Sequence, residues 1–374
     1  MNFFFLIVNQ INYYKMGVLS KINVARRKLT QTLTKNIGKV NADHSFTLVD
    51  RNEIKRILIC RPNARLGNLL LITPFVQELE EIFPNSKIDL FVKGFLAPVI
   101  FENYDSVDRI IQLPIKPFSS LLKYFAVWIS LKKYKYDIAI NVDQGSSSGR
   151  LATKFSNSKF KFFGDLPFSA NLYYGDYAHI AKYPIYHFRD YATKLGFERR
   201  EQSIAPLNLK LTSVEIIKGR QTLQKLVNNY KKTICVFTYA TGAKCLSQDW
   251  WEDFYAGLKS GYENFNIIEI LPIENVSQIG FKAPTFYSKN IREIGAVIAN
   301  TDLFIGADSG IMHLASAVHT PTVGLFSVSS LKKYEPYDNN SIGVDVTSLS
   351  EKEYFKIFNT ILDNGKSGLY SKAI

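Results

Sequence analysis

Cysteine is scarce in this chain of 374 residues, which has only Cys60, Cys235 and Cys245. Three cysteines cannot build a disulfide framework, and without a CxxC pair or a Cys/His cluster the sequence offers no structural zinc site. Cys60 and Cys235 belong to the apolar runs ILIC and ICVF, where cysteine packs as a small buried hydrophobic residue. This cysteine usage favours a protein of the reducing cytoplasm.

Long apolar runs are missing as well. A membrane-spanning helix needs about 20 consecutive apolar residues, and the opening run FFFLIV at positions 3–8 is far shorter. The first basic residues follow this run instead of preceding it, which is not the order of a signal peptide. Met16 is an alternative to Met1 as the start of the chain.

Acidic residues are absent from positions 1–40, and the basic residues there add to a net charge of +13. These basic residues are Lys15, Lys21, Arg26, Arg27, Lys28, Lys35 and Lys39. Two interpretations of positions 1–50 stay open: a solvated basic tail, or a surface helix that binds anionic lipid at the inner face of a membrane. The apolar side of such a helix consists of Val18, Ile22, Ala25, Leu29 and Leu33. No recognition module accompanies the charge, so we expect no nucleic-acid partner.

After position 50, short apolar runs alternate with amphipathic stretches. Strands are predicted at 55–60, 87–92, 107–113, 137–142, 233–238, 266–271, 302–306 and 322–326. Helices are predicted at 66–81, 118–133, 187–195, 214–230, 248–260, 290–300, 311–318 and 348–362. Positions 160–210 interrupt this alternation and read as a long loop region between domains.

The β-α-β alternation predicts parallel sheets that are covered on both faces by helices. A chain of this length is expected to form two domains. We therefore predict an α/β protein with two Rossmann-like domains, at 51–205 and 206–374. Ligands of open parallel sheets bind beyond the carboxyl ends of the strands, so the site is expected in a cleft between the two sheets.

The segment NTDLFIGADSGIMHLASA at 300–317 joins a buried strand to a helix through a polar turn. Unpaired N–H groups and the helix dipole favour an anion at such a helix start. Asp308, Ser309, Gly310 and His313 are therefore candidate ligands for a diphosphate or a sugar hydroxyl. The structural alternative is equally simple, because Asp and Ser are common helix N-caps and glycine permits a tight turn.

The segment RPNARLGNLLLITP at 61–74 forms the first connection from a strand to a helix. It places Arg61, Arg65, Gly67 and Asn68 where α/β domains contact their ligands. The alternative is an ordinary loop capped by Asn68. Neither the GxGxxG fingerprint nor the Walker lysine pattern occurs, which argues against NAD(P) binding and ATP hydrolysis.

Together these segments resemble glycosyltransferase family 9, the bacterial heptosyltransferases, over positions 55 to about 330. The resemblance rests on RILICRPNARLGNLLLITPFVQELEEIFPNSKIDLFV, on YDIAINVDQGSSSG and on ADSGIMHLASAVHTPTVGLF. It implies a GT-B architecture, with an acceptor on the N-terminal domain and an ADP-heptose-like nucleotide sugar on the C-terminal one. It also implies an inverting transfer to lipopolysaccharide or a related acceptor without metal or cofactor, and the sequence has no Asp-x-Asp pair.

The sequence departs from the family pattern at two places. The family usually has an aspartate, proposed as the catalytic base, where this chain has Asn68, and an amide cannot take up the acceptor proton near pH 7. Asn68 then orients the acceptor, and Asp143 and Asp165 are the candidate replacements for the base. The family often places a phosphate-binding lysine where this chain has Gln248.

Lys244 lies four residues before Gln248 and is the candidate replacement for that lysine, with a solvated loop lysine as the alternative. Thr241 and Gly242 keep the small, polar character that the family has at this loop. Three functions stay open: an active glycosyltransferase, which we favour, a nucleotide-sugar-binding protein that does not transfer, and a GT-B-like epimerase.

Overall fold

Two all-parallel sheets, each covered by helices, build the protein. The structure is a computed structural model that describes residues 48–115, 120–165 and 174–370, together with Thr32, Thr34 and residues 36–38. The predicted N-terminal surface helix lies almost wholly outside the described residues. Among the described residues, no helix is long and apolar enough to span a bilayer.

The N-terminal sheet has five strands in the order β3-β2-β1-β4-β5. Its elements are β1 (Arg56–Arg61), α1 (Leu66–Leu70), α2 (Thr73–Ile82), β2 (Lys87–Lys93), α3 (Ala97–Ile100), β3 (Val107–Leu113), α4 (Leu121–Lys133), β4 (Lys135–Asn141), α5 (Ser147–Phe155), β5 (Asn157–Phe162) and α6 (Tyr183–Lys194). The central strands β1, β2 and β4 are almost completely buried, as the near-continuous apolar runs predict for a parallel sheet covered on both faces.

The C-terminal sheet has six strands in the order β11-β10-β9-β6-β7-β8. Its elements are α7 (Ser213–Val227), β6 (Thr233–Phe237), α8 (Gln248–Gly261), β7 (Asn266–Ile270), β8 (Thr285–Phe286), α9 (Ile291–Ile298), β9 (Leu303–Ala307), α10 (Gly310–Ala317), β10 (Thr322–Phe326), α11 (Leu331–Tyr334), β11 (Ile342–Asp345) and α12 (Glu351–Tyr370). Strands β6, β9 and β10 are buried along their whole length. The predicted α/β fold with two Rossmann-like domains is confirmed.

The single helix predicted at 66–81 is wrong, because the structure has two helices, α1 and α2, separated at Leu71 and Ile72. Pro74 causes the break: it has no N–H and cannot donate to the carbonyl of Leu70, four residues earlier. The hydroxyl of Thr73 donates to that carbonyl instead, at 2.7 Å. The short helix α1 can therefore take a direction different from that of α2, at the carboxyl end of the central strand β1.

The loop region predicted at 160–210 is also partly wrong. Strand β5 extends to Phe162, and helix α6 begins at Tyr183, four residues before the predicted start. The sequence analysis missed β5 because lysines alternate with its apolar residues, a pattern that suits an edge strand with one solvated face. It missed α5, a short helix with few apolar residues, which begins at the cap Ser146.

The linker between the sheets is fastened to both domains. On the N-terminal side, the amide of Gln77 donates to the carbonyl of Pro206 at 3.0 Å, and the hydroxyl of Tyr104 donates to that of Asn208 at 2.6 Å. On the C-terminal side, the buried guanidinium of Arg292 in α9 donates to the carbonyls of Leu209 and Lys210. The domain boundary near residue 205 stays a prediction, and the linker that crosses it is held along its length.

The nearest counter-ion of Arg292 is the carboxylate of Glu215 at the start of α7, at 2.5 Å, and the more exposed carboxylate of Glu102 lies at 3.4 Å. A hydrogen bond of 3.2 Å also reaches from Arg292 to the carbonyl of Val99 in the N-terminal domain. The hydrogen bond from Arg292 lowers the pKa of Glu215 to about 2, against 4.5 for an ordinary glutamate. The ion pair is thus the centre of the contacts that join linker and domains.

The change Glu215→Gln tests this ion pair. It leaves the buried guanidinium with only the exposed carboxylate of Glu102, and we expect the free energy of unfolding at pH 7 to fall by about 1–2 kcal/mol, since Glu215 keeps some contact with solvent. Because the folded-state pKa lies below the unfolded one, the wild-type advantage is complete above pH 4.5 and disappears as the pH falls towards 2. Urea unfolding of the wild type and of Glu215→Gln at pH 7 and pH 3 measures this difference in the free energy of unfolding.

The matched control is Glu252→Gln, which breaks the solvent-exposed pair of Glu252 with Lys282 and should leave the urea midpoint unchanged at both pH values. An equal loss in both variants, or a loss in Glu215→Gln that does not shrink on acidification, contradicts the role given to this pair.

Candidate functional site at the domain junction

Helix α1 of the N-terminal domain and helix α10 of the C-terminal domain meet at their amino ends. A Cβ atom on Gly67, the second residue of α1, would lie 2.7 Å from Cδ2 of His313 and 3.4 Å from Cα of Gly310. A Cβ atom on Gly310, the first residue of α10, would lie 3.0 Å from Cβ of Leu66. Only glycine at both places lets the backbones approach this closely, so the loops after β1 and β9 form one continuous site.

On the C-terminal side, the site contains a lysine and a buried aspartate. Nζ of Lys244 lies 2.6 Å from Oδ2 of Asp308, whose side chain is buried. The pairing follows from the sheet, since β6 and β9 are neighbours and Phe237 is in register with Gly306. The segments that follow the two strands therefore emerge side by side.

A short 3-10 turn at Gly242–Lys244 aims the lysine at this aspartate. Gly242 has a φ of +67°, in the left-handed region where glycine is favoured, and Thr241 before it is exposed. Lys244 also lies over the ring of Tyr334, at 5.5 Å from the ring centroid. Thr241, Gly242 and Lys244 thus form the wall of the site opposite the start of α10.

Ser309 and His313 belong to the first turn of α10. The hydroxyl of Ser309 accepts a hydrogen bond from N–H of Met312, so it caps the helix, as the structural alternative predicts. Burial is the main cause that lowers the pKa of His313 to about 4, with smaller effects of His179 and Lys244, while Asp308 opposes the shift. Its imidazole is neutral near pH 7, and Nδ1 has no hydrogen-bond partner among the described residues.

On the N-terminal side, a buried arginine joins the two candidate catalytic residues. Arg61 forms a short ion pair with the carboxylate of Asp143, and its Nη2 donates to Oδ1 of Asn68 at 3.3 Å. The register of β1 with β4 pairs Cys60 with Asn141 and brings the two strand ends together. The other oxygen of Asp143 accepts a hydrogen bond from N–H of Gly145, and the side chain is 32% exposed, so it faces the cleft while held in place.

Asp165, the other candidate base, is engaged differently. Both of its oxygens accept hydrogen bonds from Arg150, at 2.8 and 2.5 Å, in a bidentate pair. Arg150 in turn donates to the carbonyl of Ile37. Asp165 is thereby part of a structural contact with the segment before the first domain, and it has no contact with Asn68 among the described residues.

Two candidate residues lie outside this arrangement. Gln248 is exposed at the first turn of α8, and its amide donates to the carboxylate of Glu252 at 2.8 Å instead of joining Lys244. Arg65 is exposed at the N-cap of α1, where its side chain makes no capping bond. It stands at the mouth of the site, beside Leu66 and Gly67.

A polar cluster next to Asp143 is not predicted from the sequence. The hydroxyl of Tyr183 donates to the carbonyl of Val142 at 3.1 Å, and that of Tyr177 donates to Nε2 of His187. Nδ1–H of His187 donates to the carbonyl of Gly164. The tyrosine-rich composition of this stretch was the available signal, but it did not reveal that the stretch packs beside the end of β4.

The same stretch also reaches the other domain. Nε2–H of His179 donates to the carbonyl of Glu335 at 2.9 Å, and N–H of Ile180 donates to that of Lys333. No group of three or more metal-ligating side chains occurs within the part of the chain that the structure describes. The site therefore has a carboxylate held by Arg61 on one side and a paired lysine with a helix start on the other.

Comparisons with known proteins agree with this architecture. Residues 288–361 match the family model described as Glycosyltransferase family 9 (heptosyltransferase). The chain is 22% identical to lipopolysaccharide heptosyltransferase 3 of Escherichia coli, over 74% of this chain and 85% of the relative. It is 21% identical to the lipopolysaccharide core heptosyltransferase OpsX of Haemophilus influenzae, over 81% and 88%.

Solved structures of the same group have the same fold. The glycosyl transferase family 9 protein of Veillonella parvula superposes with a TM-score of 0.65 at 17% identity, over 83% of this chain and 97% of that one. The E. coli heptosyltransferase WaaC, solved with ADP, superposes with a TM-score of 0.61 at 15% identity, over 82% and 99%. The two facing sheets are thus those of the GT-B architecture.

By class, the chain is a glycosyltransferase. More narrowly, it is similar to the heptosyltransferases of glycosyltransferase family 9, whose family model matches residues 288–361 and to which its curated relatives belong by name.

The change Gly67→Ala tests the contact between the helix starts. The added methyl group overlaps His313, and we expect the domains to separate slightly and the free energy of unfolding to fall by about 1–3 kcal/mol. Thermal unfolding and the radius of gyration from small-angle X-ray scattering measure the two effects. In the control Gly261→Ala the new Cβ meets its nearest neighbour at 3.8 Å and should change neither quantity. Wild-type behaviour of Gly67→Ala shows that the contact is not tight.

Proposed function

We propose that this protein is an inverting, metal-independent glycosyltransferase that moves a heptose or related sugar from an ADP-heptose-like nucleotide sugar to a lipopolysaccharide or other envelope glycan. The observation that carries the proposal is the continuity of the site: Asp143, Arg61 and Asn68 are joined by hydrogen bonds, and Asn68 follows the glycine that contacts His313. This continuity supports an acceptor-activating carboxylate on one side of the junction and a diphosphate-binding region on the other.

The donor belongs to the C-terminal side. The ammonium of Lys244 and the N–H groups at the start of α10, from Ser309 and Gly310 on, offer positive charge to a diphosphate leaving group. Asp308 holds the lysine at this place and can accept a hydrogen bond from a sugar hydroxyl. Neutral His313 lies at the start of α10 and adds no charge to the site. Thr241 and Gly242 line the loop, and Gln248 lies at its outer end.

The acceptor belongs to the N-terminal side. We assign Asp143 as the base that takes the proton from the acceptor hydroxyl while the oxygen attacks the anomeric carbon opposite the leaving diphosphate. Arg61 contacts both Asp143 and Asn68 and so fixes the position of one side chain relative to the other. Arg61 is therefore a positioning residue, and Asn68 orients the acceptor. Exposed Arg65 is suited to an acidic group of the acceptor near Gly67.

A thermal-shift panel of ADP, GDP, UDP and CDP tests the donor site. We expect ADP to stabilise the protein, by about 2.7 kcal/mol at a hundred times its dissociation constant. The change Lys244→Ala removes a charge-assisted hydrogen bond and should weaken ADP binding about tenfold or more. Lys282→Ala, which removes an exposed lysine paired with Glu252, is the control and should bind like wild type. Absence of a shift with every nucleotide removes the ground for the donor site.

Transfer assays with Asp143→Asn and Asp165→Asn test the base. If Asp143 takes the proton, its amide variant should lose about 10²–10⁴ in kcat while binding ADP normally. Asp165→Asn should retain most of the activity, because its carboxylate serves the Arg150 contact. Activity should persist in EDTA. The reverse order of the two variants would move the base role to Asp165.

A second function, nucleotide-sugar binding without transfer, is favoured by one observation. Asn68 takes the place of the family's usual carboxylate and is already engaged by Arg61. In that case the donor binds and is not consumed, and Asp143→Asn changes nothing. Consumption of donor without any acceptor would instead indicate an epimerase. We place the protein in the cytoplasm, where nucleotide sugars are available, at the inner face of the membrane.

A further inference from the structure

The outer side of α4 exposes a row of large apolar side chains. Leu122, Phe125 and Ile129 are 89%, 60% and 72% exposed and recur at the three- and four-residue spacing of one helix face. The other side of α4 packs on the sheet through buried Leu131, and half-buried Trp128 lies at the border between the two sides. The helix is therefore apolar on both sides, but only one side has a protein partner among the described residues.

A neighbouring residue extends this row. Phe155, the last residue of α5, is 49% exposed and lies with its ring centroid 6.2 Å from that of Trp128. We call Leu122, Phe125, Ile129 and Phe155 the apolar patch. Contiguous exposed apolar surface of this kind marks interaction with a membrane or another protein, whereas single exposed residues carry no such meaning.

Three lysines border the apolar patch. Lys132, Lys154 and Lys161 line a cavity of about 470 Å³ together with Phe155, and we call these three residues the lysine pocket. Nζ of Lys132 lies 5.4 Å from the ring centroid of Phe155, so the two surfaces are continuous. Burial and the charges of Lys132 and Lys154 lower the pKa of Lys161, which indicates that the cations are crowded.

Acidic residues do not balance these lysines. The sequence has no Asp or Glu from 109 to 136, which includes α4, and none from 144 to 164, which includes α5 and β5. Thr34 contacts the same region, since its hydroxyl donates to that of Ser147 in α5. Positions 1–31, which precede Thr34 in the sequence, contain no acidic residue. The surface thus combines exposed apolar side chains with positive charges that no nearby acidic residue in these sequence segments balances.

We propose that the apolar patch and the lysine pocket form a docking surface for an anionic phospholipid membrane. The apolar side chains enter the boundary between headgroups and acyl chains, and the lysines bind lipid phosphates. A symmetric contact with a second copy is disfavoured, since it would place lysine pocket against lysine pocket. The proposal does not depend on the transfer reaction, because it concerns the outer face of the N-terminal domain and not the cleft.

Sedimentation of the full chain with vesicles tests the surface. Anionic vesicles of phosphatidylcholine and phosphatidylglycerol, at a molar ratio of about 7:3, are compared with vesicles of pure phosphatidylcholine. We expect binding to the anionic vesicles and a loss of about tenfold or more in the triple variant L122S/F125S/I129S. The triple variant K132Q/K154Q/K161Q should lose about a hundredfold, since each lysine near an anionic surface contributes about fivefold, and should lose the salt dependence with it.

The matched control is V214S/I217S, which removes two apolar residues of the C-terminal domain that are 59% and 52% exposed. It should sediment like wild type. Apart from half-buried Lys161, the variants change exposed side chains, and equal melting temperatures establish that they are folded.

Several results would overturn the proposal. One is that both triple variants sediment with vesicles like wild type. This includes the outcome in which removal of positions 1–31 abolishes binding while neither triple variant does. Another is a change in molar mass by light scattering in L122S/F125S/I129S without a change in sedimentation, which assigns the patch to self-association. Equal binding to neutral and anionic vesicles would contradict the role of the lysine pocket.

Discussion

The close approach of two glycine-containing helix starts determines how the two halves of this protein work together. Gly67 and Gly310 bring α1 and α10 into backbone contact, and two ion-paired groups of candidate residues lie on either side of that contact. On one side of it Arg61 holds Asp143 and Asn68, and on the other Asp308 holds Lys244. A side chain at either glycine would separate the two groups of residues, and the proposed transfer reaction needs both groups together.

Both groups are assembled in the same way. In each sheet, two neighbouring parallel strands end side by side, and a cation that follows one strand pairs with a carboxylate that follows the other. In the N-terminal domain the cation is buried and the carboxylate faces the cleft, whereas in the C-terminal domain the carboxylate is buried and the lysine is partly exposed. In the proposed reaction, this inversion presents Asp143 to the acceptor as a base and Lys244 to the donor as a positive charge.

The sequence predicts most of the fold, because buried parallel strands are nearly continuous apolar runs and the loops after them carry polar residues. It does not predict β5, whose lysines hide its strand pattern, or the break that Pro74 causes between α1 and α2. Arg61, Asn68 and Asp143 are all identified from the sequence, but their connection through the guanidinium depends on strand register. The packing of Tyr177, Tyr183 and His187 beside Asp143 depends on a turn that crosses to the other domain, and no local pattern encodes it.

The fastened linker has a consequence for binding thermodynamics. Because Gln77 and Tyr104 hold it from one domain and Arg292 from the other, the relative orientation of the domains is established during folding. A ligand that enters the cleft then loses little rotational freedom of one domain against the other, and more of its contact free energy is retained as affinity. A wide opening of the two halves would have to break these contacts, whereas side chains and the exposed turn at Gly242 can move without breaking them.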